Sequence, residues 1–532
     1  MKTPLSATNF SVSRSSKTLT KADFRTLGLA TLGGALEFYE FNIFVFFANQ
    51  IGQVFFPAEI PDWLRQFQTF GLFAVGYFVR PLSGIIMGHF GDLIGRKRIF
   101  TLSIFLMAVP TLAIGLLPSY SAIGIFAPIA LLILRVSQGA AIGGEIPGAW
   151  VFVSEHVPSN RVSLACGILT AGLSVGILLG SVVTIEITRM LPPAEVTRIG
   201  WRIAFLLGGV FGICGALLRQ WLQETPVFKE MSARKALAAE LPIKTVLSKH
   251  QTAVIISGLL GWMLTAAIVV IILLTPQLLI SRYHFSSTLV SEASCLAAFF
   301  LTIGCVLVGW LSDRFGAQPV LMGGSVCLMI ANYLFYADTK LGSAFLLPLY
   351  TLVGLTVGVV GAVPSIMVKS FPPAIRFSGI SLSYNISAIF GGGLTPLIVA
   401  IFPANDLFGA AHYVAALCLV GFAIGLSSCG RTQSKDCQLL FKIISSTTES
   451  HIYGCIFSER FIYRLDTFPT WGFPVHGGYG WPSKDGAASK RFPKSRPKGN
   501  NRIVKQSISA YGQHDFESEP SDCEHRRGSC SF

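Results

Sequence analysis

Four charged side chains stand inside long apolar stretches of the sequence. Glu37 and Glu40 lie in the first stretch, Arg80 in the second and Arg135 in the fourth. A lone ion near the centre of a bilayer costs about 2.5–3.5 kcal/mol or more, so these groups must face a cavity or one another. In one interpretation they form a structural ion-pair network that holds helices one, two and four together.

The alternative interpretation gives the two glutamates a role in proton coupling. Glu37 and Glu40 are three residues apart, so they share one face of a helix. Two carboxylates held that close repel each other when both are charged, and one of them is then expected to bind a proton near neutral pH. A proton carrier needs a group of this kind.

The two arginines predict a site for a carboxylate. Arg80 and Arg135 offer paired hydrogen-bond donors to such a substrate, although Arg135 shares a helix face with Gln138 and could instead neutralise a glutamate. In the eleventh apolar stretch, Tyr384 and Asn385 supply hydrogen-bonding groups beside a glycine-rich segment that would also let helices approach closely. We therefore predict substrate contacts at Arg80, Arg135, Gln138, Tyr384 and Asn385.

A motif at the end of the second apolar stretch recurs in the second half of the chain. Asp92 stands between two glycines, and Asp313 repeats that spacing 221 residues later. An aspartate in such a turn can face the positive end of a neighbouring helix. By the internal symmetry Asp92 would face helix eleven and Asp313 helix five; a basic loop that only sets topology is the alternative. The predicted gating residues are Gly88, Asp92, Gly95, Arg96, Asp313, Arg161 and Arg376.

The composition predicts an integral membrane protein. Of the 532 residues 52% are hydrophobic and only 13% are charged, and the mean hydropathy is +0.60, whereas a soluble domain carries roughly 25% charged residues. Much of the net charge of +14 lies in short loops and in the polar end of the chain, so we expect no nucleic-acid partner. Because basic loops face the cytoplasm, both termini are predicted to be cytoplasmic.

Apolar runs of about 20 residues predict twelve transmembrane helices in two pseudo-symmetric bundles of six. The approximate helices are residues 26–49, 67–90, 98–117, 121–144, 163–187, 202–221, 252–280, 290–310, 319–337, 343–366, 378–401 and 408–429. The predicted domains are a cytoplasmic segment 1–25, a bundle 26–222, a cytoplasmic linker 223–250, a bundle 251–429 and a polar, disordered cytoplasmic tail 430–532.

The motifs together resemble a known family. The segment from Gly88 to Arg98 closely resembles the loop 2–3 signature of the major facilitator superfamily. Segments 34–41, 80–81, 135–145, 200–209, 224–228 and 376–396 are similar to the metabolite:proton symporter family, which takes up osmolytes, dicarboxylates or citrate. The resemblance implies an all-α major facilitator fold. Glu40 departs from it, since the family usually has aspartate there, and the tail lacks the coiled coil of some osmosensing relatives.

We therefore expect a secondary transporter rather than an enzyme. The sequence contains no GxxxxGK[ST], HExxH or GxSxG motif, so neither an ATP-driven pump nor those hydrolases are indicated, and no cofactor or metal is expected. The resemblance implies proton-coupled uptake of a small organic acid or zwitterionic osmolyte by alternating access. The expected partners are substrate, proton and membrane lipid, with a monomeric unit in the plasma membrane, a bacterial inner membrane. An efflux antiporter and a non-transporting membrane sensor or scaffold are the alternatives.

Overall fold

Twelve long apolar helices dominate the structure, a computed structural model that describes residues 18–233, 242–340, 345–402 and 408–429. Each is long and apolar enough to cross a membrane, which confirms the predicted number. We label them α1–α12: Lys21–Phe46, Asp62–Ile94, Arg96–Leu116, Phe126–His156, Ser159–Met190, Pro193–Arg219, Gln251–Ser281, Thr288–Phe315, Ala317–Thr339, Leu346–Ser370, Pro373–Val399 and Gly409–Ser428.

The predicted end of the fourth helix was wrong. The approximate bounds ended it at residue 144, whereas α4 continues through Glu145 and Pro147 to His156. Glu145 is tolerated inside the helix because it pairs with Arg219 of α6. A charged residue with a partner on a neighbouring helix can therefore lie inside a membrane-spanning helix.

The two halves of the chain pack their helices in the same way. In the N-terminal bundle (α1–α6), α1 packs on α5, α2 on α4 and α3 on α6. In the C-terminal bundle (α7–α12), α7 packs on α11, α8 on α10 and α9 on α12. The bundles meet where α2 packs on α11 and α5 on α8, two pairs that the internal symmetry exchanges.

Large apolar side chains cover the outer surface of the helices. Leu82 is 65% exposed, Val109 60%, Ile133 60%, Leu397 63% and Leu419 58%. A protein in water does not leave so much apolar surface uncovered. The surface is therefore that of an integral membrane protein.

Two helices of the C-terminal bundle contain a wide turn followed by a Thr-Pro pair. A π-helical segment, Val269–Leu274, interrupts α7 before Pro276, and another, Ile389–Leu394, interrupts α11 before Pro396. Proline lacks the amide hydrogen that would continue the ladder, so the preceding turn widens. Thr275 Oγ1 donates to the carbonyl oxygen of Val270 at 2.8 Å, and Thr395 Oγ1 to that of Phe390 at 3.2 Å.

The segments outside the bundles are described only in part. Two short helices, Pro226–Ala233 and Pro242–Lys249, lie in the segment predicted as a linker. Residues 1–17, most of the predicted N-terminal segment, and the predicted tail 430–532 lie outside the described residues.

Candidate functional site

A cavity lies between the two bundles. Helices α1, α2 and α5 line one side of the cavity, and α7 and α11 line the other. The volume that water molecules can occupy in it is about 50 Å³. The N-terminal side is polar and aromatic, while Leu264, Ile268 and Leu273 make the opposite side largely apolar. Among the described residues that line this cavity, none is acidic.

Arg80 is the charged group of the cavity. It is 3% exposed, and its guanidinium carbon lies 3.9 Å from the ring centre of Tyr77 and 4.7 Å from that of Phe41. Within the described part of the chain its Nε has no hydrogen-bond partner, and its side chain forms no ion pair. A buried cation of this kind is stabilised by the aromatic faces and leaves its donors available to an anion.

Arg135 lies behind the cavity rather than in its lining. It is fully buried, and its guanidinium carbon lies 4.2 Å from the ring centre of Phe44 and 4.9 Å from that of Phe41. Its Nη1 donates to Oε1 of Gln138 at 2.8 Å, and Nε2 of Gln138 donates to Oγ1 of Thr111 at 2.7 Å. Phe41 thus separates Arg135 from the cavity, and Gln138 faces α3 instead.

Glu37 and Glu40 are both buried in the N-terminal bundle. Glu37 is 1% and Glu40 0% exposed, and their carboxyl oxygens have no hydrogen-bond partner among the described residues. Among the described residues, neither glutamate forms an ion pair with Arg80 or Arg135. The ion-pair network considered as one interpretation of these four charges is therefore not formed.

The two candidates on α11 have different surroundings. Tyr384 lines the cavity, and its ring packs edge-on against Trp150 of α4 with the centres 5.0 Å apart. Asn385 turns into the contact between the bundles, where its Nδ2 donates to the carbonyl oxygen of Gly143 at 2.7 Å. The amide of Asn385 thus connects the two bundles and does not line the cavity.

The contact of Asp92 with α11 agrees with the prediction from the repeated motif. Its carboxylate accepts hydrogen bonds from the backbone amides of Phe377 at 3.3 Å and Ser378 at 2.9 Å, and from the Ser378 hydroxyl at 2.9 Å. Gly88 permits this approach, since a Cβ there would lie 2.9 Å from the Cα of Ser378. The carboxylate sits at the positive end of α11.

The symmetry-related contact is also formed. Asp313 of α8 accepts hydrogen bonds from the backbone amides of Ser163 at 2.9 Å and Leu164 at 3.0 Å, at the start of α5. Arg161 ends the 3₁₀ turn before these residues. The bundles are therefore tied together twice at the end that carries the aspartates.

Buried charges strengthen the first of these contacts. Arg96 lies 3.4 Å from Asp92 and 3.1 Å from Glu155, and Glu155 accepts a hydrogen bond from Nη1 of Arg376 at 3.0 Å. Nη2 of Arg96 also donates to the carbonyl oxygen of Pro373 at 2.6 Å. Arg96 and Glu155 belong to one bundle and Arg376 to the other, so separation of the bundles must break this network.

Comparison with known proteins identifies the family. The model of the Major Facilitator Superfamily matches residues 42–396. The chain belongs to this superfamily. A proline/betaine transporter of Salmonella typhimurium is 32% identical over 424 residues, 76% of this chain and 83% of that protein. A glycine betaine/proline/ectoine/pipecolic acid transporter of Dickeya dadantii is 31% identical, covering 76% of this chain and 82% of that protein.

Solved structures share the fold of this major facilitator protein. The proton:xylose symporter XylE bound to 6-bromo-6-deoxy-D-glucose aligns with a TM-score of 0.62 and 15% identity, over 79% of this chain and 96% of XylE. The human organic anion transporter MFSD10 aligns with a TM-score of 0.54 and 15% identity, over 76% of this chain and 100% of that one. The protein is accordingly a membrane transporter and not an enzyme, as its sequence predicted.

Some residues around the contact between Asp92 and α11 were not predicted as site residues. Glu155 was not considered, and Glu224 and Thr225 were noted only as part of a motif. Both oxygens of Glu224 accept the amide of Lys97, and Thr225 Oγ1 donates to Glu155 at 2.8 Å. Gly95 makes room for Glu224, because its φ is 121° and a Cβ would lie 2.5 Å from Oε2. The adjacent sequence Glu224-Thr225-Pro226, typical of a helix start, was the available signal.

Proposed function

We propose that this protein is a secondary active transporter that takes up a zwitterionic osmolyte of the proline or betaine type together with a proton. The names of its relatives support this substrate class, since they are proline/betaine transporters that match over most of their length. The basic loops support cytoplasmic termini, and the bacterial origin of the relatives supports a place in a bacterial inner membrane. A cavity built from a single chain supports a monomeric functional unit.

The observation that carries the proposal is the unpaired guanidinium of Arg80 in the cavity. A buried arginine without a carboxylate partner is matched by a substrate carboxylate, which accepts its parallel N–H donors. The cationic end of the substrate finds no acidic group among the described lining residues. Aromatic faces, from Phe38, Phe41, Tyr77 and Tyr384, surround it instead, and such faces suit methylated or secondary ammonium groups.

The same lining disfavours a dicarboxylate. A second carboxylate would require a second cation, but Arg135 lies behind Phe41 and the C-terminal side presents Leu264, Ile268 and Leu273. Leaving a charge against those side chains would remove it from water without compensation. A zwitterion places its single carboxylate on Arg80 and needs no other cation.

Alternating access would proceed by separation of the bundles at the aspartate contacts. The hydrogen bonds of Asp92 and Asp313 across the bundles support a state closed at that end, in which the cavity would exchange with the opposite side of the membrane. Proton and substrate binding would precede the opening of the two contacts. Gly88, Gly95, Arg96, Arg161 and Arg376 complete the proposed gating residues.

Uptake by purified protein in liposomes tests the proposal. With an inward pH gradient we expect accumulation of glycine betaine or proline, but not of citrate or 2-oxoglutarate, and its loss with a protonophore. Arg80→Gln should raise the KM about tenfold or more, since a hydrogen bond to a charged group contributes about 1.5–3 kcal/mol. Arg198→Gln is the matched control, because the Arg198 side chain is 74% exposed and, among the described residues, pairs with Glu195 alone.

The rival functions predict different results. An efflux antiporter would expel the zwitterion when protons enter, instead of accumulating it. A sensor or scaffold would transport no compound, and its function would be lost on deletion of residues 435–532, which a transporter tolerates. Unchanged KM in Arg80→Gln would refute the assignment of the carboxylate site.

A further inference from the structure

A buried ion pair links α4 and α6 inside the N-terminal bundle. Nη2 of Arg219 contacts Oε1 of Glu145, and the hydroxyl of Ser103 on α3 donates to the other carboxylate oxygen. Nη1 of Arg219 donates to the carbonyl oxygen of Phe100 at 2.7 Å, and its guanidinium carbon lies 3.8 Å from the ring centre of Phe100. Arg219 is 0% and Glu145 1% exposed, so neither reaches solvent.

The two glutamates of α1 belong to the same cluster. Glu37 and Glu40 lie within electrostatic range of Glu145 and Arg219, and a Cβ at Gly212, on the same helix as Arg219, would clash with Oε1 of Glu40. A Cβ at Gly33, also on α1, would lie 2.6 Å from Nη2 of Arg219, which shows how closely α1 approaches the guanidinium. We refer to Glu37, Glu40, Glu145 and Arg219 as the carboxyl cluster.

Charge balance requires protons in this cluster. It contains three carboxyl groups and one guanidinium, all at most 1% exposed. The Arg219 charge is already bound to Glu145, while the oxygens of Glu37 and Glu40 lack hydrogen-bond partners among the described residues. Buried charges without counter-ions are strongly unfavourable, and three carboxylates against one guanidinium leave two negative charges, so a neutral cluster binds two protons.

The other groups that face these glutamates supply no additional positive charge. Tyr384 of α11 lies within electrostatic range of Glu37, and Tyr39 of α1 and Thr111 of α3 lie within range of Glu40. Arg80 and Arg135 stack on Phe41 instead and form no ion pair with the cluster in the described chain. Arg219 is thus the cation available to whichever carboxylate is charged.

We propose that Glu145 shares the coupled proton with Glu37, and that Arg219 is the positioning residue that stabilises the carboxylate left after proton release. This inference rests on the proposed proton-coupled function and assigns two residues to it. A proton from one side of the membrane binds a carboxylate oxygen of the Glu37–Glu145 pair and cancels one negative charge. Its release to water on the other side restores that charge, which then faces Arg219.

The position of α1 connects this cluster to the cavity. Phe38 and Phe41 line the cavity, while Glu37 and Glu40, one residue before each, lie in the cluster on another face of the same helix. Tyr384 contributes to the cavity lining and lies within electrostatic range of Glu37. A change of charge in the cluster therefore acts on the helix that binds substrate.

The test compares Glu145→Gln with wild type in liposomes. We expect at least a tenfold loss of pH-gradient-driven accumulation and of substrate-induced alkalinisation outside the liposomes. Exchange of labelled for unlabelled substrate should persist, and its rate should lose the pH dependence seen in wild type. Glu186→Gln, on an exposed position of α5, is the matched control and should behave like wild type.

A second variant covers the case in which Glu145→Gln does not fold with Arg219 unpaired. The double variant Glu145→Gln/Arg219→Gln removes both charges, and it should exchange substrate without proton-driven accumulation. Undiminished accumulation in either variant would overturn the inference, as would loss of exchange together with accumulation in folded protein. If wild type itself accumulates no zwitterion under a pH gradient, the proposed function fails instead.

Discussion

At the scale of single residues, the arginines of this protein divide by their partners. Arg96, Arg219 and Arg376 pair with buried carboxylates. Arg80 and Arg135 rest on aromatic rings and have no acidic partner in the described chain. Paired arginines hold helices together, whereas Arg80, supported by rings in the cavity, keeps its donors for another molecule.

Sequence reasoning found the charged residues but not all of their partners. The Arg135–Gln138 bond could be anticipated, because residues three apart share a helix face. The Glu145–Arg219 pair could not, because it joins helices 74 residues apart in the chain, and nothing local indicates which helices touch. Asn385 was misleading for the same reason, since its bond partner is a backbone oxygen of the other bundle.

Phe41→Leu should weaken the binding of glycine betaine. The Phe41 ring supports both Arg80 and Arg135 and lines the cavity, so its loss removes a cation–π surface worth about 0.5–2 kcal/mol. We expect the KM for glycine betaine to rise about 2- to 30-fold with little change in kcat. Initial uptake rates measure this, with Phe90→Leu, 45% exposed on the outer surface, as the control. Equal effects of the two variants would contradict it.

At the scale of helices, apolar length was enough to predict all twelve spans. A segment that crosses a membrane must hydrogen-bond its own backbone groups, so a long apolar run forms a helix there. The wide turns in α7 and α11 were harder to predict. The glycine-rich segment of α11 indicated only a close approach of helices, and the choice of a π turn depends on the threonine before the proline. Each threonine hydroxyl bonds a carbonyl five residues earlier and also a tyrosine, Tyr336 or Tyr413, of a neighbouring helix.

Thr275→Val and Thr395→Val should each lower stability. Valine keeps the shape but removes the hydroxyl, leaving the carbonyl oxygens of Val270 and Phe390 without that donor. We expect a loss of about 1 kcal/mol for each change, seen as a lower thermal transition in detergent. Thr188→Val should be nearly neutral, since Thr188 is exposed and its helix is regular. A transition unchanged in both variants would mean that the wide turns do not depend on the hydroxyls.

At the scale of the whole molecule, the two halves differ in the charged side chains that they bury. Among the described residues, every charged side chain that is buried lies in the part of the chain that ends at Arg219. The C-terminal bundle buries hydroxyls, amides and apolar groups, and it contains the Thr-Pro turns of α7 and α11. The symmetry of the helix packing is therefore not a symmetry of chemistry.

Asp92→Asn and Asp313→Asn should both favour opening at the aspartate end. Each removes a negative charge from hydrogen bonds across the bundles, worth about 1.5–3 kcal/mol, so the open fraction should rise roughly 10- to 100-fold.

Two buried cysteines between the bundles can measure this opening. Cys166 and Cys305 are 0% exposed, and a Cβ on Gly167, next to Cys166, would lie 2.6 Å from the carbonyl oxygen of Cys305. Alkylation of these two thiols by N-ethylmaleimide, followed by mass spectrometry, reports the opening.

The control for this experiment is Asp62→Asn, because Asp62 pairs with Arg65 near the surface and far from the contact in sequence. Its labelling rate should equal that of wild type. Rates that stay unchanged in both aspartate variants would show that the amide contacts do not limit opening.

The unequal distribution of buried charge has a consequence for how such a protein diverges. A substitution in the C-terminal bundle can reshape the apolar wall formed by Leu264, Ile268 and Leu273 without disturbing any buried ionic group of the described chain. A substitution in the N-terminal bundle at Glu145 or Arg219 leaves its partner unbalanced. Descendants of this gene can therefore acquire new substrates through one half while inheriting the same energy source through the other.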